Sequence, residues 1–170
     1  DLRVAAERAV IVTAFKNVLR KNIQMRDDAA TRRKEKKKKE LTTVELDFAE
    51  QNKRFEELAN IALGYIFYQV GKFNLAIKYF DRVDIISPYW LDAVFAASWS
   101  EFRLVEVEPD LANRHYQRTL GYIHTLNAPF FYDYLYPEAL VLKSVTYYFN
   151  CRYGPAKRAI DEFNSRYVRT

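Results

Sequence analysis

The chain has few of the residues that form cross-links, bind metals or interrupt secondary structure: one Cys, two His, four Gly and five Pro among 170 residues. A single cysteine excludes an intrachain disulfide framework, and so little Gly and Pro excludes collagen-like and low-complexity chains. The longest apolar run, Ile61 to Tyr68, is far too short to span a bilayer, and no signal peptide opens the sequence. The start at Asp1 without Met suggests a trimmed fragment, from which a targeting segment would have been removed.

Apolar and aromatic residues, in contrast, are abundant. The composition is 49% apolar and 16% aromatic, with 13 Tyr and 12 Phe. That is enough material to bury the core of one globular domain or of a short repeat array.

Positive charge is concentrated in one run. The net charge is +5, and the eight residues Arg32 to Lys39 hold seven cations and one Glu, so the rest of the chain has no excess of cations. The cations are Arg32, Arg33, Lys34, Lys36, Lys37, Lys38 and Lys39. Two interpretations stay open: a solvated helical stretch or hinge, and a surface that docks on anionic lipid or nucleic acid. The run has no aromatic residue to stack on a base.

The first part of the chain is predicted to be helical. Residues 2–25 place Val4, Ile11, Phe15 and Val18 on one stripe without a Gly or Pro, which is typical of an amphipathic helix that needs a partner. Thr42 and Glu45 have the spacing of a capping box and predict that a helix restarts there. The alternative is one unbroken helix from about Asp28 to about Val70.

From Glu57 onward the sequence repeats itself at an offset of 80 positions. At this offset, small residues align with small residues and aromatic residues align with aromatic residues. The matched pairs are Gly64 with Ser144, Phe67 with Tyr147, Tyr68 with Tyr148, Phe73 with Tyr153, Ala76 with Ala156, and Asp81 with Asp161. The offset equals two 34-residue units plus an insertion, which we place at Glu106 to Gln117.

The first unit has the spacing of a 34-residue helical repeat. Its positions are Asn60, Leu63, Gly64, Phe67, Ala76, Phe80 and Pro88. They resemble the tetratricopeptide signature W-x2-L-G-x2-Y, A-x3-F, P, with only the leading Trp replaced. The third unit keeps Leu140, Ser144, Tyr147, Ala156 and Ile160, and the middle unit is degenerate, with Glu101 at the position of Phe67.

This resemblance implies an all-α fold. We expect a tetratricopeptide-like α-solenoid of antiparallel helix pairs with an N-terminal helical extension over residues 1–56. The repeats would cover residues 57–170, as 57–90, 91–136 with the insertion, and 137–170. The small residues Gly64, Ala76, Ser98, Ser144 and Ala156 would let helices approach closely.

The first helix of each unit carries a second stripe of apolar and aromatic residues. In repeat arrays these positions line the concave surface, whereas an ordinary stacked helix has a polar back. The predicted partner-binding residues are Ile61, Tyr65, Tyr68, Phe95, Trp99, Phe102, Arg103 and Tyr148. Either the N-terminal helices of the chain or another protein would cover them. Trp99 and Arg103, one helical turn apart, are the candidate anchor.

The sequence offers no recognisable catalytic or metal-binding pattern. His115, His124 and Cys151 lack the spacing of a zinc site, and no phosphate loop, nucleophile elbow or paired-carboxylate motif is present. We therefore expect neither an enzyme, a cofactor nor a metal. His124 is interpreted as a hydrogen-bonded structural histidine, and Cys151, at the position of Gly71, as a helix-end residue.

Several phrases are similar to a narrower branch of tetratricopeptide proteins. They are Gly71-Lys72-Phe73, Tyr79-Phe80-Asp81-Arg82-Val83, residues 124–131 (HTLNAPFF) and Asn150-Cys151-Arg152-Tyr153. They look like proteins from the cell envelopes of gliding and predatory Gram-negative bacteria. The resemblance implies a periplasmic or envelope-associated adaptor, such as one belonging to a motility or surface complex.

A known tetratricopeptide subclass grips C-terminal carboxylates with inward Lys and Asn. The matching positions here are Ile61, Tyr65, Phe95 and Trp99, so we expect an apolar or helical segment as the ligand rather than an acidic tail. The prediction is a non-enzymatic protein-interaction scaffold. The alternatives are binding of anionic membrane or nucleic acid through Arg32 to Lys39, and self-assembly through the aromatic surface.

Overall fold

The regular structure is helical throughout the part of the chain that the computed structural model describes, namely residues 12–21, 23–25, 27–28, 43–131, 133–134 and 136–168. Helix α1 covers residues 12–21, and residues 23–25 and 27–28 are also helical. The later helices are α2 (Thr43–Gln69), α3 (Phe73–Phe80), α4 (Trp90–Val107), α5 (Ala112–Leu126), α6 (Pro137–Phe149) and α7 (Tyr153–Tyr167). The all-α class is confirmed.

These helices form three hairpins in chain order, α2–α3, α4–α5 and α6–α7, which we call the first, middle and third hairpins. Their helices run antiparallel: in the first hairpin Tyr68, at the end of α2, meets Phe73, at the start of α3. Each hairpin packs on the next through α3 against α4 and α5 against α6. The middle and third hairpins begin at Trp90 and Pro137, and α2, which is described from Thr43, includes residues 43–56 of the predicted extension.

The turns of the first and third hairpins have the same geometry. The Gly71 N–H donates to Tyr68 O at 3.0 Å and the Lys72 N–H to Phe67 O at 2.8 Å. At the offset of 80, Cys151 and Arg152 repeat both bonds at 3.0 and 2.8 Å. This is a Schellman cap, whose central residue is left-handed, with φ +74° at Gly71 and +57° at Cys151. The prediction that Cys151 ends a helix is confirmed.

The main core lies between the first and middle hairpins. Ala76, Phe80 and Val83 are buried against three alanines of α4: Ala93, Ala96 and Ala97. Gly64 lies so close to Phe80 that a Cβ on it would sit 2.4 Å from the ring. The small residues of α2 and α4 thus permit the close helix approach that the sequence predicted.

Helix α1 packs on the outer side of α2. Leu19 is buried together with Ala59 and Leu63, and Phe15 lies against the same cluster. The amphipathic helix predicted at residues 2–25 therefore has its partner within the chain, as far as its described residues go. Residues 29–42, on which the choice between a restarted and an unbroken helix depends, and the proposed cap residue Thr42 lie outside the described residues.

The insertion in the middle unit lengthens the middle hairpin. Helix α4 continues to Val107, a 3₁₀ turn follows at Pro109–Leu111, and α5 begins at Ala112. In the first hairpin the chain turns at Gly71, and the second helix, α3, has 8 residues, compared with 15 in α5. Residues 106–117 thus form the end of α4, the 3₁₀ turn and the start of α5.

Candidate protein-interaction surface

The residues predicted to bind a partner are divided among α2, α4 and α6, the first helices of the three hairpins. Helix α4 contacts both α2 and α6. The eight residues Ile61, Tyr65, Tyr68, Phe95, Trp99, Phe102, Arg103 and Tyr148 are called the aromatic face below. None of them is fully buried.

On α4 and α6 the aromatic face is a chain of touching rings. Trp99 meets Phe102 edge-on at 6.0 Å between ring centroids, and Phe102 meets Phe149 at 6.1 Å. Phe149 in turn meets Tyr148 at 5.8 Å. Phe149 therefore connects Tyr148 with the pair Trp99 and Phe102. Phe149 is exposed, but it was not among the predicted residues. Ring pairs at these distances are favourable edge-to-face contacts.

A second group of rings lies where α2, α4 and the start of α6 converge. Phe95 packs on Tyr136 at 5.7 Å, and the Tyr136 hydroxyl donates to Asp92 Oδ1 at 2.6 Å. Tyr65, which is exposed, rests edge-on against Phe80. Partial burial, with Asp92 as a smaller cause, raises the pKa of Tyr65. This group presents hydroxyls and one carboxylate beside apolar surface.

The remaining predicted residues, Ile61, Tyr68 and Arg103, contact residues of the core. Ile61 and Tyr68 pack on the cluster around Phe80, and Tyr68 also meets Phe73. The Arg103 guanidinium stands over the Phe73 ring at 5.3 Å, and its Nη2 pairs with Glu106 at 3.2 Å. These contacts hold α3 against α2 and α4. Trp99 and Arg103 accordingly differ in what they touch, and their role as one anchor stays a prediction.

The described part of α1 does not lie on the aromatic face. Its contacts are with Ala59, Leu63 and the neighbouring rings Phe67 and Tyr79. Of the two occupants considered from the sequence, the described N-terminal helix is therefore seated elsewhere. The basic run from Arg32 to Lys39 lies outside the described residues.

Sequence reasoning missed a buried polar network in the middle hairpin. Glu101 is fully buried, and its Oε2 accepts a hydrogen bond from His115 Nδ1 at 2.8 Å. Arg118 Nε is 2.9 Å from Glu101 Oε1, an ion pair that lacks hydrogen-bond geometry. The signal was present: Glu101 stands where the other units have the rings Phe67 and Tyr147.

The inserted residues complete this network. His115 Nε2 lies 3.4 Å from Glu108 Oε2, and Glu108 Oε1 accepts a hydrogen bond from Asn74 at 2.8 Å. The bond from Asn74, with a smaller contribution from His115, lowers the pKa of Glu108. The insertion therefore ties the middle hairpin to α3 of the first. His124, for which we predicted a hydrogen-bonded structural role, is exposed, and the buried histidine is His115.

The described residues contain neither a candidate metal-binding cluster nor a helix that could span a membrane. Within them, no group of three or more His, Cys, Asp or Glu side chains could hold a metal ion. None of the described helices combines the length and the apolar character needed to cross a bilayer.

Comparison with known proteins found no match to a protein-family model, to a curated protein or to a solved structure.

Proposed function

We propose that this chain is a tetratricopeptide-like α-solenoid that acts as a non-enzymatic scaffold and holds an apolar or helical segment of another protein on its aromatic face. The observation that carries the proposal is the row of rings from Trp99 through Phe102 to Tyr148, which crosses from one hairpin to the next. A surface helix of a stacked array normally has a polar back. Apolar side chains collected on one side of three helices favour contact with a partner.

The exposed members of the face supply the strongest anchors. Tyr65 and Tyr148 are exposed and Trp99 is partly exposed. Large rings lose little conformational freedom on binding and dominate the energetics of interfaces. Arg103 is a weaker candidate, because it already holds Phe73 and Glu106.

The first experiment separates this face from other exposed apolar residues. Tyr65→Ala/Trp99→Ala should abolish capture of a partner from native extract while the helical circular dichroism signal is retained. The matched control is Ile86→Ala, since Ile86 is 84% exposed in the connection between α3 and α4. Equal capture by the double variant and the wild type would contradict the proposal.

Two further measurements separate the alternatives. Capture that collapses as salt rises would favour docking of Arg32 to Lys39 on an anionic surface, since such binding depends steeply on ionic strength. Sedimentation that changes with protein concentration, and loses that dependence in Tyr65→Ala/Trp99→Ala, would favour self-assembly through the aromatic face.

A place in the cell envelope, within a motility or surface complex, is the location that the sequence resemblance supports. Fractionation of cells that express the tagged protein would test it. Recovery in the periplasmic fraction is expected, and recovery with the cytoplasmic proteins would contradict it.

A further inference from the structure

The outer side of the third hairpin repeats the side of the first hairpin that α4 covers. The pair Tyr148 and Tyr153 meets edge-on at 5.6 Å and 64°, and its counterpart, Tyr68 and Phe73, at 5.4 Å and 65°. Together with the matching turn bonds, this means that the two hairpins hold their corresponding residues in the same local geometry. The covered interface of the first hairpin therefore describes what the third hairpin is shaped to receive.

The two corresponding sides, of the first and third hairpins, differ in their exposure to solvent. Phe73 and Phe80 are 7% and 2% exposed beneath α4, whereas their counterparts Tyr153 and Ile160 are 61% and 49% exposed. Ala156, the counterpart of Ala76, is buried beneath them. Terminal units of helical arrays ordinarily carry a polar outer surface, because no neighbour covers it. The third hairpin instead keeps apolar residues at these positions.

One position differs in charge. Ile77 of the first hairpin is buried in a cluster with Leu104 of α4, and the residue 80 positions later is Lys157, which is exposed. Arg152 and Arg158 flank it and are exposed as well. If a helix packed on the third hairpin as α4 packs on the first, its residue equivalent to Leu104 would lie next to Lys157. An acidic side chain there would be complementary.

We propose that the outer side of the third hairpin, formed by Tyr148, Tyr153, Lys157 and Ile160, docks an α-helix that continues the stack. This helix presents small side chains in the spacing of Ala93, Ala96 and Ala97, and an acidic side chain opposite Lys157. Small residues are required because α4 approaches α3 through its alanines. The site shares Tyr148 with the aromatic face, but its other residues lie on α7, and it does not depend on the function proposed for that face.

The test uses the full chain and a synthetic helix. The probe is residues 89–108 with Leu104→Glu, stapled between positions 98 and 102 on the side away from the alanines, because an isolated helix of this length is marginal in water. Its binding is measured by fluorescence anisotropy. The companion probe carries Leu104→Lys.

The structure gives three expected results. The Glu probe should bind more tightly than the Lys probe, by roughly fivefold, the value of one partly exposed ion pair. Lys157→Glu should reverse that order. Ile160→Asp should weaken both probes by roughly tenfold or more, because it places a charge on the apolar contact.

Other results would overturn the proposal. Absence of binding, or binding that Ile160→Asp leaves unchanged, would remove the docking site. A preference that Lys157→Glu does not reverse would mean that the probe has displaced the native α4 from the first hairpin. Head-to-tail association of the protein that Ile160→Asp abolishes would identify a second copy as the occupant instead.

Discussion

The first and third hairpins have the same turn and the same ring pair, but they differ in what packs against them. In the first, α4 covers Phe73 and Phe80, and in the third, Tyr153 and Ile160 remain exposed. Local geometry therefore follows the repeated sequence, whereas burial follows the neighbouring hairpin. A ring at a given repeat position is core in one unit and available surface in another.

The largest expected difference concerns the paired positions 80 and 160. Phe80→Ala should cost about 3–5 kcal/mol of unfolding free energy, because the ring fills the space between two hairpins and its removal leaves a cavity. Ile160→Ala should cost less than about 1 kcal/mol, since half of the side chain is in water. Urea denaturation of both variants measures this. Similar losses would mean that the third hairpin is covered as the first is.

The middle hairpin departs from both of its neighbours by placing a carboxylate where they have a ring. His115→Ala should cost roughly 3 kcal/mol, because it leaves the buried Glu101 with only the Arg118 ion pair. The matched control is His124→Ala on the same helix, where the side chain is exposed and the change should stay within about 0.5 kcal/mol. Both are measured by denaturant unfolding near neutral pH. Equal stability of the two variants would show that the network is dispensable.

The sequence predicted those parts of the fold that local pattern determines. The spacing of Gly64, Ala76 and Phe80 predicted a close helix pair, and the match of Cys151 with Gly71 predicted the end of a helix at Cys151. Both depend on residues near in sequence or on one helical period. The sequence could not decide between a helix that restarts near Thr42 and one unbroken helix from about Asp28, because nearly every residue there is a good helix former; residues 29–42, on which the choice depends, lie outside the described residues.

The direction of the side chains on the candidate site was harder to predict. Helical periodicity placed Tyr68 and Arg103 on the same side as Tyr65 and Trp99, but a difference of 40° to 60° around the helix is enough to turn a side chain toward the adjacent hairpin. The network of Glu101 and His115 joins residues of α4 and α5 through an insertion of unpredictable shape. No spacing rule covers such a contact.

A tyrosine hydroxyl at the junction between the first and middle hairpins distinguishes the first hairpin from the third. Tyr122 of α5 donates to Asp81 at 3.0 Å. Asp161 is the counterpart of Asp81 on the third hairpin, and both carboxylates are exposed. Tyr122→Phe should therefore cost about 1 kcal/mol, the usual net value of such a bond. Asp161→Asn, the control, should leave stability within about 0.5 kcal/mol.

The same tyrosine predicts a dependence on alkaline pH. Burial, aided by Asp81, raises the pKa of Tyr122 well above its ordinary value of 10.0. The unfolded chain ionises first, so the stability that this group contributes is complete below about pH 10 and is lost as the pH rises toward the folded value. Unfolding free energies measured from pH 8 to 11 should fall less steeply in Tyr122→Phe. Parallel curves for the two proteins would contradict this.

The smallest expected effect tests whether the two turns are interchangeable. Cys151 holds a left-handed φ of +57° that costs an L-residue about 1–2 kcal/mol, and Gly71 adopts +74° without that cost. Cys151→Gly should stabilise the protein by about 0.5 kcal/mol, because relief of this strain slightly exceeds the added entropy of the unfolded glycine. Gly71→Cys should destabilise it by a similar or larger amount, although no neighbouring atom obstructs a Cβ there. Changes of opposite sign in thermal unfolding would mean that backbone conformation alone distinguishes the two turns. If both variants lost stability, the Cys151 side chain would have to contribute a contact that offsets its strain, and the equivalence of the first and third hairpins would end at the backbone.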